Sequence, residues 1–369
     1  SNDYTLEKLK RILKLEITTR IKNHNLNSKK INQIYRSKKY PNIYVIDKEN
    51  GGKSDSLNVG INYSLNDYIV TLDADSILKS DALALISPYF NDSDVVAASG
   101  VIQILQSFLL SKKGDKTTLK MNNLLKLQTI EYIKSCFCYK ASLAKLNSLL
   151  VISGAFGFFK KDILLAVNGF TNVIGEDLDL TLKIQFYIQG TNKKIIYVKD
   201  AICYTEGPET FKDYIKQRKR WQQSFIESLF NFGKIIFKKP FSKSLSFFVI
   251  VDALFLGIIS SFIIVVFFIL IFNNIITSNF SNIIIYFLIF VFVHLIYNIV
   301  GLCIAYKCNI RYKGMDFLRV IYTIILDIFF YRIVILYTII IGTISYFKGN
   351  LGWNKVSRSG RNYNALKRG

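Results

Sequence analysis

Histidine is nearly absent from the chain, and cysteine follows no recognisable metal-binding or disulfide pattern. The 369 residues include two histidines, His24 and His294, too few for a histidine-based zinc site. The five cysteines contain no C-x-x-C pair, and Cys136 and Cys138 lie two apart in a helical pattern, facing different directions. We therefore exclude a histidine-ligated zinc enzyme and expect reduced cysteines in a cytosolic main domain.

Acidic residues are also scarce. The chain has 26 Asp and Glu against 48 Lys and Arg, which gives a formal net charge of +22. Such an excess suits either nucleic acid or the anionic headgroups beside a membrane domain. Because the basic residues lie beside long apolar segments, we favour membrane lipids as the partner and expect no nucleic-acid binding.

Apolar residues are distributed unevenly along the chain. Residues 1–240 read as ordinary globular sequence, whereas residues 245–347 are strongly apolar. Ala253 to Phe272 is a run of twenty residues without a charge, and Ile283 to Tyr306 is a second run, interrupted only by His294. Each is long enough to cross the hydrocarbon core of a bilayer. The pattern predicts a multi-pass protein of the cell membrane with its catalytic domain in the cytoplasm.

A third apolar segment, Phe317 to Phe347, is long for one span and short for two. It contains three charged residues, Arg319, Asp327 and Arg332. These charges suit a polar path through a membrane, or they pair with one another or lie at the interface. The basic, acid-free tail that follows suits the cytoplasm, so we expect part of this segment to lie along the interface or to re-enter.

The first 210 residues alternate between strand-like and helix-like patterns. β-rich runs occur at Asn42 to Asp47, Tyr68 to Asp73 and Val95 to Leu105, with helical patterns at Ser56 to Leu65 and Asp81 to Tyr89 between them. This alternation predicts an α/β domain with a mostly parallel sheet, in which the apolar run from Tyr68 is a central strand covered on both faces. In such sheets, ligands bind beyond the carboxyl ends of the strands.

Two carboxylates, Asp73 and Asp75, follow that apolar run and lie one residue apart. Like charges at this spacing repel each other, so a cation is expected beside them. Carboxylates are hard oxygen ligands that suit Mg²⁺ or Mn²⁺ holding a diphosphate. The alternative is an ordinary turn with two solvated acids.

Two further motifs combine charge with a defined helix position. Glu176 and Asp177 precede a helical pattern, where a carboxylate either acts as general base on a sugar hydroxyl or simply favours the helix start. Gln217, Arg220 and Trp221 stand at i, i+3 and i+4, on one helix face. An arginine there can grip a phosphate and an indole can stack on a sugar, although an interfacial helix whose Arg218 and Lys219 reach headgroups is the alternative for this segment.

The order of these motifs is more specific than any of them alone. "DADS", "SGAFGFF", "GED", "TEGPET" and Q-x-x-R-W, followed by apolar spans, together resemble the membrane-embedded family 2 inverting glycosyltransferases. That group contains the synthases of poly-N-acetylglucosamine, hyaluronan, chitin and cellulose, and the resemblance is strongest to the first. It covers roughly Lys48 to the end of the chain. It implies a GT-A-like (Rossmann-like) α/β domain followed by α-helical transmembrane segments.

The resemblance also implies substrates and roles. The enzyme would transfer a sugar, N-acetylglucosamine or a related hexose, from a UDP-sugar to a growing polysaccharide with inversion, using Mg²⁺ or Mn²⁺. Asp177 would be the catalytic base with Glu176 beside it, and Asp73 and Asp75 the metal ligands, Asp75 being favoured. The implied donor-side residues are Lys53, Asp73, Asp75, Gln217, Arg220 and Trp221. Gly154 and Trp221 would line the acceptor site.

The same comparison divides the chain. We expect a cytosolic GT-A domain at 1–210, amphipathic interfacial helices with Q-x-x-R-W at 211–244, a transmembrane region at 245–347 and a basic tail at 348–369. Family members begin with a strand leading into a "P-x-Y-N-E"-like loop and a second strand ending near "D-G-S", and neither is present here. We therefore expect an N-terminally truncated chain that lacks two nucleotide-holding strands.

Two other functions stay open at this point. In the first, the chemistry is the same but the acceptor is a membrane lipid, to which the enzyme would add one sugar without polymerising. The chain would instead be an inactive homologue or a partner subunit if the truncation removes activity. An accessory membrane subunit is a further candidate partner.

Overall fold

The computed structural model describes residues 4–109, 116–238, 244–259 and 281–349, with three isolated positions at 262, 272 and 275. Its strands are β1 (Leu15–Thr18), β2 (Ile31–Ser37), β3 (Tyr44–Lys48), β4 (Tyr68–Leu72), β5 (Ser76–Leu78), β6 (Val95–Ile104), β7 (Phe108–Leu109), β8 (Lys116–Thr117), β9 (Phe156–Lys160) and β10 (Lys194–Thr205). The helices of the first part are α1 (Thr5–Leu13), α2 (Gly52–Asn62), α3 (Ala82–Ile86), α4 (Asn123–Ile133), α5 (Ala141–Lys145), α6 (Lys161–Ala166) and α7 (Glu176–Tyr187).

The later helices are longer. They are α8 (Phe211–Lys238), α9 (Ser244–Phe248), α10 (Ser281–Lys307), α11 (Met315–Leu326) and α12 (Arg332–Phe347). Three π-helical segments, Lys134–Lys140, Val249–Ile259 and Asp327–Tyr331, extend or join them. Helix α8 lies where the sequence predicts an amphipathic helix with Q-x-x-R-W.

The main sheet has five strands in the order β4-β9-β6-β10-β5. β6 and β10 are parallel, whereas β9 runs antiparallel to both β4 and β6, and β5 runs antiparallel to β10. The α/β class is confirmed, but the sheet is mixed rather than mostly parallel. The reason is β9, the "FGFFK" segment, which inserts between β4 and β6 because its aromatic residues are buried there.

The predicted central strand lies at the edge of this sheet. β4 pairs only with β9 among the described strands, and Tyr68, Val70 and Leu72 are 44%, 38% and 44% exposed. The central strand is β6, all ten residues of which are buried. An apolar run thus predicted a strand correctly but not its place in the sheet, because neighbour order depends on pairing with distant residues.

The strand predicted from Asn42 belongs to a different sheet. β1, β2 and β3 form a separate three-stranded antiparallel sheet, with Tyr35 opposite Ile17 on one side and Val45 on the other. This sheet precedes α2. The "NGGK" segment at the start of α2 lies near the end of β4, because Lys53 contacts Asp73. The described N-terminal strands therefore form a separate antiparallel sheet and add no parallel strand to the main sheet.

Two apolar helices follow the globular part. Phe287–Lys307, with mean hydropathy 2.5, and Met315–Phe347, with mean hydropathy 2.3, are long and apolar enough to cross a membrane. The second, 33 residues long, extends about 50 Å at 1.5 Å per residue, more than the roughly 30 Å of a hydrocarbon core. These helices indicate membrane association. Most of the predicted first span, Ala253 to Phe272, and nearly all of the basic tail lie outside the described residues.

Asp327, within the apolar helix Met315–Phe347, is paired with a residue of the same helix and with residues of other parts of the chain. Asp327 Oδ2 accepts hydrogen bonds from Lys134 Nζ (2.6 Å), Asn298 Nδ2 (2.9 Å) and Arg332 (3.0 Å). Lys134 and Asp327 are both buried. Of the two interpretations of these charges, mutual pairing is the one that the structure supports.

We expect Asp327→Asn to destabilise the protein by about 3–5 kcal/mol, because it leaves the ammonium of Lys134 buried without its counter-ion. The double substitution Lys134→Met with Asp327→Leu should recover much of this loss. Thermal unfolding of detergent-purified protein measures both. The matched control is Glu16→Gln, which removes the exposed pair with Lys38 and should cost at most about 1 kcal/mol. Equal melting temperatures for Asp327→Asn and the control would contradict the prediction.

Candidate active site

Lys53, on α2, lies between two carboxylates that come from two other elements. Its Nζ is 2.6 Å from Asp73 Oδ1 and 2.9 Å from Glu176 Oε1. Lys53 stands in the first turn of α2, Asp73 directly follows β4, and Glu176 is the first residue of α7. The cation that we expected beside Asp73 is therefore, within the chain itself, a lysine.

The ammonium of Lys53 stays charged at neutral pH. Burial is the largest single influence and by itself lowers the pKa of Lys53, but the charges of Glu176 and then Asp73 outweigh it, so the pKa is raised above its ordinary value. Each carboxylate also hydrogen-bonds the ammonium. The site therefore contains a fixed positive charge beside the end of β4.

Gly154 joins Asp177 to this cluster. The Gly154 N–H donates to Asp177 Oδ2 (3.1 Å), while Asp177 Oδ1 accepts from the Leu178 N–H (2.9 Å). A Cβ on Gly154 would lie 2.8 Å from Lys53 Nζ and 3.6 Å from Asp177 Oδ2. Only glycine lets the backbone come this close to both side chains. The structure thus brings together five predicted residues that are up to 124 positions apart, Lys53, Asp73, Gly154, Glu176 and Asp177.

Asp75 lies in the turn between β4 and β5, two residues after Asp73. The chain turns sharply after β4, with the Ser76 N–H donating to the Asp73 carbonyl (3.0 Å), and returns as β5 beside β10. Burial raises the pKa of the Cys203 thiol to about 12, and the charges of Asp73 and Asp75 act in the same direction. Cys203 is therefore an unreactive thiol beneath the acidic turn.

Helix α8 contacts the chain at the start of the "GED" segment. A Cβ on Gly175 would overlap the Ser224 hydroxyl, and the Ile174 N–H donates to Glu227 Oε2 (2.8 Å). Ser224 follows Gln217 by seven residues, so the two share a helix face with Arg220 and Trp221. The Ser224 contact therefore turns the Q-x-x-R-W face of α8 towards the start of α7.

The three Q-x-x-R-W side chains occupy different environments. Gln217 is buried, and its side-chain oxygen has no hydrogen-bond partner among the described residues. Arg220 is half-buried and Trp221 is 40% exposed. The surface of Trp221 is open to a ligand, whereas the oxygen of Gln217 is buried without a partner among the described residues.

Arg218 does not follow the alternative in which it reaches the lipid headgroups. Its side chain does not reach out to headgroups but is 11% exposed and forms an ion pair with Glu131 (2.8 Å). Its guanidinium lies 4.2 Å from the Trp221 ring centroid. A counter-ion 87 residues away in the sequence, Glu131 on α4, holds the guanidinium of Arg218 within the protein.

Sequence reasoning missed the residues that hold the "TEGPET" loop. Gln106 exchanges two hydrogen bonds with the backbone of Gly207 (3.0 and 3.1 Å), and Gln128 Nε2 donates to the Pro208 carbonyl (2.9 Å). Both glutamines are buried within apolar stretches. A glutamine inside such a run was the available signal, since a buried amide must find hydrogen-bond partners.

The chain matches the model of a known protein family. The family model described as "Glycosyl transferase family group 2" matches residues 68–304, more than half of the chain. The chain belongs to this glycosyltransferase family. The matched range contains the acidic turn, Gly154, the "GED" segment and α8. The prediction of a glycosyltransferase with a GT-A-like fold is thereby confirmed.

Curated relatives point to one branch of the family. The chain is 33% identical over 199 residues to a poly-beta-1,6-N-acetyl-D-glucosamine synthase of Staphylococcus aureus (strain COL), which covers 53% of this chain and 44% of the relative. A synthase of the same name from Staphylococcus epidermidis is 32% identical over 199 residues. The glycosyltransferase described here thus spans less than half the length of the curated relatives that it matches.

Among solved structures, the chain is similar to the mannosyltransferase PcManGT from Pyrobaculum calidifontis in complex with GDP-Man and Mn²⁺. The identity is 15%, the TM-score is 0.45, and the match covers 83% of this chain and 69% of that one.

We expect Gly154→Ala to reduce glycosyl transfer at least tenfold with little change in melting temperature, because the added methyl group would displace the Lys53 ammonium. The control is Gly60→Ala, on the exposed side of α2, where a Cβ meets no atom within 4 Å. There the alanine should raise helix stability by about 0.5–1 kcal/mol and leave transfer unchanged. Transfer rates and melting curves of both variants, measured side by side, check this; full activity in Gly154→Ala would contradict it.

Proposed function

We propose that the chain is the catalytic part of a membrane-bound polysaccharide synthase. It transfers N-acetylglucosamine, or a related hexose, from a UDP-sugar to the end of a growing chain, with inversion, at the cytoplasmic face of the membrane. The observation that carries this proposal is the convergence of Lys53, Asp73, Glu176 and Asp177 around Gly154. The curated relatives support the choice of sugar and polymer.

Asp177 is the base in this proposal. Its two oxygens accept backbone hydrogen bonds from Gly154 and Leu178, which fix the orientation of the carboxylate at the start of α7. As the acceptor hydroxyl attacks the anomeric carbon, its proton passes to Asp177. The new bond joins the acceptor oxygen to that carbon, the bond from carbon to phosphate oxygen breaks, and UDP leaves from the opposite face with the electron pair.

Lys53 serves the leaving group. Its ammonium is held in place by Asp73 and Glu176 before any donor binds, so little reorganisation is needed when a diphosphate arrives. A diphosphate that approaches the end of β4 meets this fixed charge. Lys53 therefore offsets part of the negative charge that develops on UDP.

The acidic turn suits a divalent cation shared with the substrate. Within the described residues there is no group of three or more His, Cys, Asp or Glu side chains that could hold a metal. Asp73 and Asp75 alone supply hard oxygen ligands, and Mg²⁺ in nucleotide sites commonly takes one or two carboxylates and completes its shell with phosphate and water. Asp75 and Asp73 would hold the ion, which would neutralise charge on the diphosphate.

The acceptor side lies along α8. Trp221 offers an exposed indole to a terminal sugar, and Gln217 and Arg220 lie on the same face towards the diphosphate. α8 is also bound to the last apolar helix, because Gln222 Nε2 donates to Thr343 Oγ1 (3.1 Å) and Gln223 Nε2 to Ser345 Oγ (3.3 Å). Transfer would therefore occur beside the helices that we propose to enter the membrane and to pass the polymer outward.

Asp177→Asn should abolish transfer while sparing UDP binding, because the amide cannot accept the proton. Incorporation from radiolabelled UDP-N-acetylglucosamine into membranes and UDP titration calorimetry measure the two properties. The matched control is Asp162→Asn, since Asp162 also starts a helix and accepts the next backbone N–H (2.7 Å), but in α6. Wild-type turnover in Asp177→Asn would remove Asp177 from the role of base. The length of the labelled product separates a polymer from a single transfer to lipid.

Asp75→Ala should lose the metal-dependent part of UDP affinity. We expect the affinity of wild-type protein for UDP to rise at least tenfold when Mn²⁺ replaces EDTA, and that of the variant to change little. Calorimetric titration under both conditions provides the comparison. A variant that responds to Mn²⁺ as strongly as wild type would exclude Asp75 as a metal ligand.

A further inference from the structure

A single carboxylate, that of Glu131, joins three helices. Glu131 lies on α4, and its Oε2 accepts hydrogen bonds from Arg218 of α8 (2.8 Å) and from the Tyr331 hydroxyl (2.6 Å) in the π-helical segment between α11 and α12. Tyr331 is fully buried, and the Arg218 side chain is nearly so. Sequence separations of 87 and 200 residues show that this is a tertiary contact and not a local one.

Arg218 lies between two aromatic rings. Its guanidinium carbon is 4.9 Å from the Tyr214 ring centroid and 4.2 Å from that of Trp221. Both distances are within the range of cation–π attraction. Tyr214 is completely buried and packs against Tyr331 with 5.7 Å between ring centroids. The Tyr214 ring on one side of the guanidinium is therefore held in a fixed position.

Trp221 depends on this arrangement for its orientation. It is 40% exposed, and its ring lies against the guanidinium of Arg218. An exposed indole that rests on a mobile arginine would sample several rotamers. An indole that rests on an arginine held by Glu131 and by the Tyr214 ring keeps one orientation, which lowers the entropic cost of stacking a sugar on it.

We propose that Glu131 is a positioning residue for the acceptor: it holds Arg218, and Arg218 holds the Trp221 indole in the orientation that stacks on the terminal sugar. This inference rests on the proposed function, in which Trp221 contacts the acceptor. Glu131 touches neither substrate in this scheme. Since Tyr331 shares the same carboxylate oxygen, the last apolar helix is part of the support.

The position of Trp221 can be measured without any catalytic activity. The chain has two tryptophans, Trp221 and Trp353, so the full chain with Trp353→Phe in nanodiscs reports on Trp221 alone. In that background Glu131→Gln should raise the Stern–Volmer constant for acrylamide quenching at least twofold and lower the fluorescence anisotropy. Glu131→Asp, which keeps the charge, should fall between Glu131→Gln and the parent.

A matched control separates this effect from the general loss of an ion pair. Asp316→Asn also removes an arginine pair, that with Arg319 (2.6 Å), but within α11 and without contact to Trp221. It should leave the quenching unchanged. Quenching in Glu131→Gln that equals that of the parent, or that rises equally in Asp316→Asn, would overturn the proposal.

Kinetics then test the link to the acceptor. With a β-1,6-linked N-acetylglucosamine oligosaccharide as acceptor, Glu131→Gln should raise the acceptor KM about fivefold to tenfold, with kcat and the donor KM within about twofold of wild type. Tyr331→Phe, which keeps the buried ring and removes one donor to Glu131, should shift the acceptor KM in the same direction by a smaller factor.

The two measurements distinguish failure of this proposal from failure of the proposed function. Increased quenching with an unchanged acceptor KM would overturn the acceptor role assigned to Glu131. Absence of transfer by the wild-type chain would refute the proposed function, whereas the quenching comparison between Glu131→Gln and Asp316→Asn would still decide whether Glu131 orients Trp221.

Discussion

The arrangement of the site depends on one ammonium group. Lys53 is the cation that allows the end of β4 and the start of α7 to approach, because Asp73, Glu176 and the neighbouring Asp177 would otherwise gather like charges in a partly buried place. Three segments meet at this charge, and the last of them, at Glu176, lies 123 positions after Lys53. Its own burial is tolerated only because both carboxylates are close enough to hydrogen-bond it. The same contact that joins these segments therefore leaves a positive charge facing the proposed place of the leaving group.

A second organising element is α4 with its π-helical extension. Asn122 and Gln128 hydrogen-bond the loop before α8, Glu131 pairs with α8 itself, and Lys134 contacts the apolar helices. Backbone carbonyls and buried charges specify geometry more strictly than apolar contacts do, since each requires a partner at one distance and angle. Helix α4 thus ties the glycosyltransferase domain to the helices that follow it, and the proposed acceptor face of α8 lies between the two.

Local signals in the sequence predicted much of this structure. The apolar runs identified β4 and β6, the acids of "GED" marked the start of α7, and the spacing of Gln217, Arg220 and Trp221 assigned them to one face of a helix. What the local pattern did not reveal was neighbour order. "FGFFK" looks the same whether it is a loop or an inserted strand, and only its pairing with β4 and β6 decides that the sheet is mixed. The partners of Arg218 were equally hidden, because nothing near "QRKRW" indicates a carboxylate on α4.

The outer edge of β4 affects how the chain behaves in solution. Within the part of the chain that the structure describes, the backbone N–H and C=O groups on that side have no strand to bind, and three apolar side chains beside them are partly exposed. Such an edge is a template for strand addition between copies. Self-association should therefore increase with protein concentration, and a lysine at the outward-facing position 70 would be the simplest way to suppress it. Detergent, which shields apolar helices, would not satisfy these backbone groups, so aggregation that persists in detergent would have its origin at this edge.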